Sequence, residues 1–325
     1  MADSIKYDAI IVQTPDDFKR MCGHHERMCR FIPADRIFFV GRSEIETLLK
    51  KEQDDYPEDS AIKRAGFICE NDILPFDDVH SVVCDIVRAE MDGQIPGRNI
   101  TGWYYQQFIK YAYYNFSKNK YYLVWDGDTV PCKAFSMFSE DGHPFFDTKH
   151  EYHKPYFDTI GKLLPGLTKY TDKSFISEHM LMDCEFVEKL ILEIESNHSL
   201  CGTLFWEKIL RSLSASQLMD TGFSEFETYG TYVMTHYTNS YILRSWNSMR
   251  YGAMFFDKDA ISSKDFEWLS KDFYAISFEK NQSIRKDTDN IFNNPRYQEK
   301  LSARQIMEMV QEDYQNDEYI EVWDD

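Results

Sequence analysis

Between residues 7 and 126 short apolar, β-branched runs alternate with helix-patterned segments, and that alternation narrows the fold class before any single residue is weighed. YDAIIVQT (7–14) reads as a strand broken by Pro15, DDFKRMCGHHERMCRFI (16–32) as mostly helical, and RIFFVG (36–41) as a second strand ended by Gly41. SEIETLLKKEQ (43–53) opens with Ser43 three residues before Glu46, a capping-box signature that predicts a helix start. AGFICENDILP (65–75) offers a third strand and DDVHSVVCDIVRAEM (77–91) a helix. GWYYQQFIKYAYYNFSKNK (102–120) is a longer helix, in which Tyr105, Phe108, Ile109, Ala112, Tyr113 and Phe116 form a buried stripe and Gln106, Gln107 and Lys110 lie off it. Strand, helix, strand in this order predicts an α/β fold with a mostly parallel central sheet flanked by helices. Beyond residue 131 the alternation loosens into a decorated C-terminal half: FSMFSEDGHPFFD suits a hairpin, EFVEKLILEIESN a helix and FYAISFE (273–279) a strand.

The last strand of the alternating part, within YYLVWDGDTVP (121–131), runs straight into two carboxylates, Asp126 and Asp128, before Pro131 ends the ladder. In an open α/β sheet ligands bind outside the carboxyl ends of the strands. Two hard oxygen ligands there suit Mg²⁺ or Mn²⁺, and through it a diphosphate. The same residues also fit a tight acidic turn in which Gly127 supplies a positive φ. Asp257-Lys258-Asp259, after the apolar run AMFF, and Asp287-Thr288-Asp289 are competing Asp-X-Asp sequences.

A net charge of −19 argues against a nucleic-acid partner, since a polyanion is bound by clustered Lys and Arg. Residues 312–325 hold seven acids and no base and read as the solvated end of a helix beginning near Ser302. The expected organisation is one domain over 1–300 followed by a C-terminal helix and acidic tail over 301–325. The seven cysteines form no C-x-x-C pair or zinc spacing, as in a reducing cytosol. No apolar run of eighteen occurs, so a cytoplasmic protein is expected, with room for a peripheral contact at the inner face of the membrane.

Further chemistry-bearing residues follow the aspartates. KHEYHKPY places His150 and His153 in an aromatic, basic setting suited to substrate contact, or simply to the surface. SFISEHMLMD brings Glu178 and His179. SEFETYGTYVMTHY carries Glu225, Glu227 and His236, which suit a general base and a metal-completing imidazole, or equally exposed helix positions and a satisfied core histidine. Tyr229 and Tyr232 suit stacking against sugar rings, and Trp246 and Arg250 in RSWNSMRYG are candidates for the edge of the same cleft.

YYLVWDGDTVP after GWYYQQFIKYAYYNF, followed by KHEYHKPY, SEHMLMD and SEFETYGTY, resembles a group of bacterial glycosyltransferases with the GT-A fold found among capsule and surface-polysaccharide genes. The resemblance covers residues 5–280 by motif order. It implies a Rossmann-like sheet and transfer from a nucleotide-sugar donor, UDP-sugars favoured, to a glycan or lipid-linked glycan acceptor. It further implies Mn²⁺ or Mg²⁺ held by Asp126 and, more directly, Asp128, with His236 as a further ligand, and Glu225 or Glu227 as catalytic base. Gln13 and Thr14, after the first strand, fall where the donor's base and ribose are met. That loop lacks the Pro-X-Tyr-Asn pattern of inverting members, so the stereochemistry stays open. Arg42, Arg98 and Lys110 are candidates to neutralise phosphate, and His150, His153, Tyr229 and Tyr232 to hold the acceptor. The rivals are a nucleotidyltransferase and an inactive glycan-binding protein.

Overall fold

A computed structural model of the chain describes residues 5–91, 97–284, 292 and 294–312. The alternation builds a five-stranded sheet in the order β3-β2-β1-β4-β7. Strands β1 (Tyr7–Val12), β2 (Arg36–Gly41), β3 (Gly66–Cys69) and β4 (Tyr121–Asp126) are parallel, and β7 (His179–Asp183) runs antiparallel to β4. The central strands are apolar along most of their length because both faces are covered, with Asp8 of β1 paired to Arg36 of β2 near one end. Successive side chains point to opposite faces, so Ile10, Tyr122 and Val124 enter one core with the Phe76–Glu90, Arg98–Ala112 and Cys184–Ser196 helices. Ile11, Leu123 and Trp125 enter the other, together with Phe18, Trp246, Phe266 and Ile276.

That second core contains residues from both ends of the chain, so the decorated half is no separate unit. It adds β5 (Thr129–Pro131), β6 (Phe145–Thr148), β8 (Ile242–Ser245), β9 (Ser248–Met249) and β10 (Ala275–Ser277), arranged as a β5-β10-β9 sheet and a β6-β8 pair. The Ala303–Glu312 helix closes the same core with Ala303, Ile306 and Met307.

Several local expectations change. The segment 16–32 breaks at Gly23, whose φ of 91° ends Pro15–Met21 before His25–Phe31 begins. Ser43 is itself helical and its side chain caps nothing, so Glu44–Asp54 starts without the expected box. The strand at 65–75 is short, passing after Cys69 into the helical turn Glu70–Ile73. Phe116 is exposed, while Gln107 and Lys110 are buried, because the Arg98–Ala112 helix packs against the sheet on one side and the Glu225–His236 helix on another.

Close packing makes one glycine obligatory. A Cβ on Gly230, inside the Glu225–His236 helix, would lie 2.3 Å from the Phe175 ring. Gly230→Ala is therefore expected to lose about 1–3 kcal/mol through overpacking, although alanine is worth roughly 1 kcal/mol in an open helix. A urea midpoint at or above wild type would show that Phe175 can move aside.

Candidate active site

The carboxyl ends of β1 and β4 meet at the turn Asp126-Gly127-Asp128. Gly127 is needed there for space and not for a positive φ: a Cβ would sit 2.3 Å from Cγ of Gln13, whose Nε2 donates to the Gly127 carbonyl at 2.6 Å. Oε1 of the buried Gln13 meets no hydrogen-bond partner, leaving an acceptor for a ligand.

Asp126 is partly exposed and bonded to Nζ of Lys110 at 2.7 Å. The same ammonium reaches Glu225 at 2.5 Å. Burial would lower the Lys110 pKa, but the two carboxylates hold it above its ordinary value. Burial raises the Glu225 carboxyl, with Lys110 opposing. Glu225 is fixed through its backbone: Oε1 of Gln107 accepts its N–H at 2.9 Å and the Tyr111 hydroxyl donates to its carbonyl at 2.7 Å. Two of the three off-stripe polar residues of the long helix, Gln107 and Lys110, thus become site-builders.

On the other side stands Glu178, immediately before β7, with a φ of 61°. Its carbonyl accepts the Asp126 N–H at 2.9 Å. Its carboxylate accepts from Lys149 Nζ at 2.6 Å and Ser248 Oγ at 2.8 Å, and Lys149 also donates to Ser248 Oγ at 2.7 Å. Although burial opposes it, Lys149 leads the contacts that keep this carboxyl below its ordinary range. Two residues along, Arg250 repeats the pattern, donating to Glu151 at 2.7 Å and Glu279 at 3.1 Å.

Asp128 is held by its carbonyl, which accepts from the Phe278 N–H at 2.8 Å. Its carboxyl keeps some contact with solvent but is packed around on most sides. Burial, reinforced by Asp126 and Glu279 and opposed by Arg20, pushes it up to about 7. Asp126 and Asp128 thus bring two carboxylates to the end of β4, with Lys110 beside the first and Arg20 acting on the second. Among the described residues no three His, Cys, Asp or Glu are gathered as a ready metal cage. Two carboxylates nevertheless suit Mg²⁺ or Mn²⁺, which fills its remaining positions with water and substrate phosphate.

The other candidates are distributed as follows. Thr14 is exposed and caps Pro15–Met21, accepting from the Asp17 N–H at 3.1 Å. Arg42, just past β2, is exposed and 3.8 Å from Glu44. The Arg98 side chain, Asp287-Thr288-Asp289 and the acidic tail beyond Glu312 lie outside the described residues. Asp257-Lys258-Asp259 is a surface turn with Lys258 bonded to Asp259. His150 is exposed against Lys173, and His153 precedes the Lys154–Leu163 helix with its ring 4.5 Å from Tyr156.

Five expectations are corrected. His236 ends the helix that Glu225 begins, so it stands roughly 16 Å away along the axis and cannot share a cation with Asp126. Glu227 points away from the aspartates: its Oε1 accepts from Ser174 Oγ at 2.5 Å and the Phe175 N–H at 3.1 Å. Tyr229 and Tyr232 are core residues, buried on the same helix, and offer no face to a sugar. Trp246 is buried against His179 and Tyr274 and does not edge the cleft. Lys110, already shared by two carboxylates, is no free phosphate ligand. Ser248 and Glu279 carry no local sequence signal, and Glu178 stands out only as a member of SFISEHMLMD beside His179.

No curated protein matches the sequence. Among solved structures, the chain is similar to mouse xyloside xylosyltransferase 1 in its apo form, at 12% identity and a TM-score of 0.42, covering 86% of this chain and 100% of that one. It is similar to galactosyltransferase LgtC in complex with donor and acceptor sugar analogues, at 10% identity and 0.42, covering 86% and 90%. It is also similar to the apo bifunctional glycosyltransferase WbbM, at 9% and 0.43, covering 96% and 52%. At these identities and TM-scores none of them assigns an activity or a residue here. A family model described as a family of unknown function, DUF6492, matches residues 63–318, and the chain belongs to that family.

Proposed function

We propose that the protein is a GT-A-type glycosyltransferase that takes a sugar from a nucleoside-diphosphate donor, with Asp126 and Asp128 holding a divalent cation. The observation that carries this reading is the pair of carboxylates at the end of β4, Asp126 and Asp128; burial, with Asp126 beside it, pushes the Asp128 carboxyl up to about 7, and a cation would relieve it. A Mn²⁺ or Mg²⁺ bound there would act as a Lewis acid toward the charge that develops on a leaving diphosphate. The protein's own part is to hold the donor and shape the field. Gln13, buried with Oε1 unpaired beside the turn, is the polar group we assign to the donor's nucleoside. Lys110 holds Asp126 in place, and Glu225, drawn to the same ammonium, is the carboxylate beside the reacting sugar. Glu227, whose Oε1 is taken by Ser174 and the Phe175 N–H, has no contact with Lys110 or Asp126, and we assign the base role to Glu225 instead. UDP-sugars as donors and a glycan or lipid-linked glycan of surface polysaccharide as acceptor follow the motif resemblance. His150, exposed against Lys173, and His153, whose ring packs against Tyr156, remain the acceptor candidates.

Calorimetric titration of the protein with UDP, GDP and CMP, each with and without Mn²⁺, tests the reading. One nucleoside diphosphate is expected to bind only with the metal present, and a sugar nucleotide should release nucleoside diphosphate, not pyrophosphate. Binding of none of the three, or equal binding without metal, would return the turn to a structural role.

A further inference from the structure

We propose that Glu178, gripped by Lys149 and Ser248, is a positioning residue that fixes Asp126 through its own backbone carbonyl. The inference rests on the reading of Asp126 and Asp128 as cation ligands, but its geometry stands by itself. Three non-glycine residues among those described have a positive φ: Thr221, Asn239 and Glu178. Asn239 is exposed and Thr221 half-exposed, whereas Glu178 is buried at a strand end. A left-handed conformation costs a residue with a Cβ about 1–2 kcal/mol, so something around it must hold it there.

The holding groups come from two distant segments. Lys149 precedes the Lys154–Leu163 helix and Ser248 begins β9, and each bonds both to the Glu178 carboxylate and to the other. The triangle uses both carboxylate oxygens, so the side chain cannot rotate without stranding a buried ammonium. The β4–β7 ladder ends at Trp125 opposite His179. One step further, the left-handed turn at Glu178 lets the chain leave the sheet while its carbonyl still accepts the Asp126 N–H. Relaxed to an ordinary extended backbone, Glu178 would turn that carbonyl away. On its β7 side Asp126 would then be left without a backbone partner, held by the β1 ladder opposite Val12 and by Lys110 through its side chain.

The test is the double substitution Lys149→Met/Glu178→Met, which removes both buried charges together and so leaves global stability near wild type. Amide hydrogen exchange at Asp126 is measured on the full chain without metal, and Mn²⁺ affinity is measured by titration. Exchange at Asp126 is expected to accelerate at least tenfold, and Mn²⁺ affinity to fall about ten- to a hundredfold, as when an outer-shell partner of a ligand is lost. Exchange at the wild-type rate would overturn the inference. Wild-type protein that binds no Mn²⁺ would sink the cation reading instead, leaving the exchange result to decide this one. Should the double variant not fold, Ser248→Ala removes a single hydroxyl and is expected to accelerate Asp126 exchange by a smaller factor; unchanged exchange there would equally overturn the proposal.

Discussion

Lys110→Met should destabilise the protein by about 3–5 kcal/mol, the loss that follows when one partner of a buried ion pair is removed and the other is left without a counter-charge. Asp126 can turn to solvent and recover part of its hydration, but Glu225 is buried, with its backbone locked by Gln107 and Tyr111. The deficit should depend on pH in one direction. Burial already raises the Glu225 carboxyl, and without Lys110 it rises further. A carboxyl whose folded pKa lies above its unfolded value favours the fold at low pH and loses that contribution as pH rises through the folded pKa. Urea unfolding should therefore find the variant closest to wild type in mild acid and furthest from it at pH 8. A loss under about 1 kcal/mol at pH 8 would mean that Glu225 carries a proton in the native protein and that Lys110 serves Asp126 alone.

Asp128→Asn should have opposite effects on function and on apo stability. If the cation's Lewis-acid contribution of several kcal/mol depends on this ligand, turnover should fall on the order of a thousandfold, and metal-dependent nucleotide binding with it. The apo protein should become less sensitive to alkali. Asp128 ionises at about 7 in the folded chain against 3.8 ordinarily. Its contribution to stability is therefore full below the ordinary value and is lost as pH climbs through about 7. Wild-type thermal midpoints should drop between pH 5 and pH 8 and recover on adding Mn²⁺; the asparagine variant should show neither change through this group. A variant with wild-type turnover, or one that keeps the Mn²⁺-induced rise, would move the cation elsewhere.

The scaffold was more legible in the sequence than the site, for a physical reason. Strands at 7–14, 36–41 and 121–125 announce themselves because a two-faced sheet demands apolar residues at every position, and the carboxylates at 126 and 128 stand out against that run. Periodicity also identifies which residues share a helix face. It does not say which end of the helix meets the site, so it cannot show that Glu225 and His236 stand at opposite ends of one helix. Nor does a single apolar stripe show that a helix is packed on two sides, which is why Gln107 and Lys110 read as surface residues. Tyr229 and Tyr232 invite a sugar-stacking reading from composition, yet the fold spends them on its core. The Glu178 network joins segments separated by 29 and 70 positions, a separation at which one sequence carries no pairing signal.

The pairing of β5 with β10 has a consequence for how the site comes into being. Asp126 belongs to a strand whose neighbours β1 and β7 lie within the first 183 residues, but the Asp128 carbonyl and the strand after it find their partners only in residues 275–278. Contacts so distant along a chain form late, because closing the intervening loop must precede any gain from them. During synthesis the first aspartate can therefore be seated while the second still hangs from an unpaired edge. The nascent chain can hold the Asp126 end of the turn in place before residues 275–278, which hold the Asp128 end, have been made.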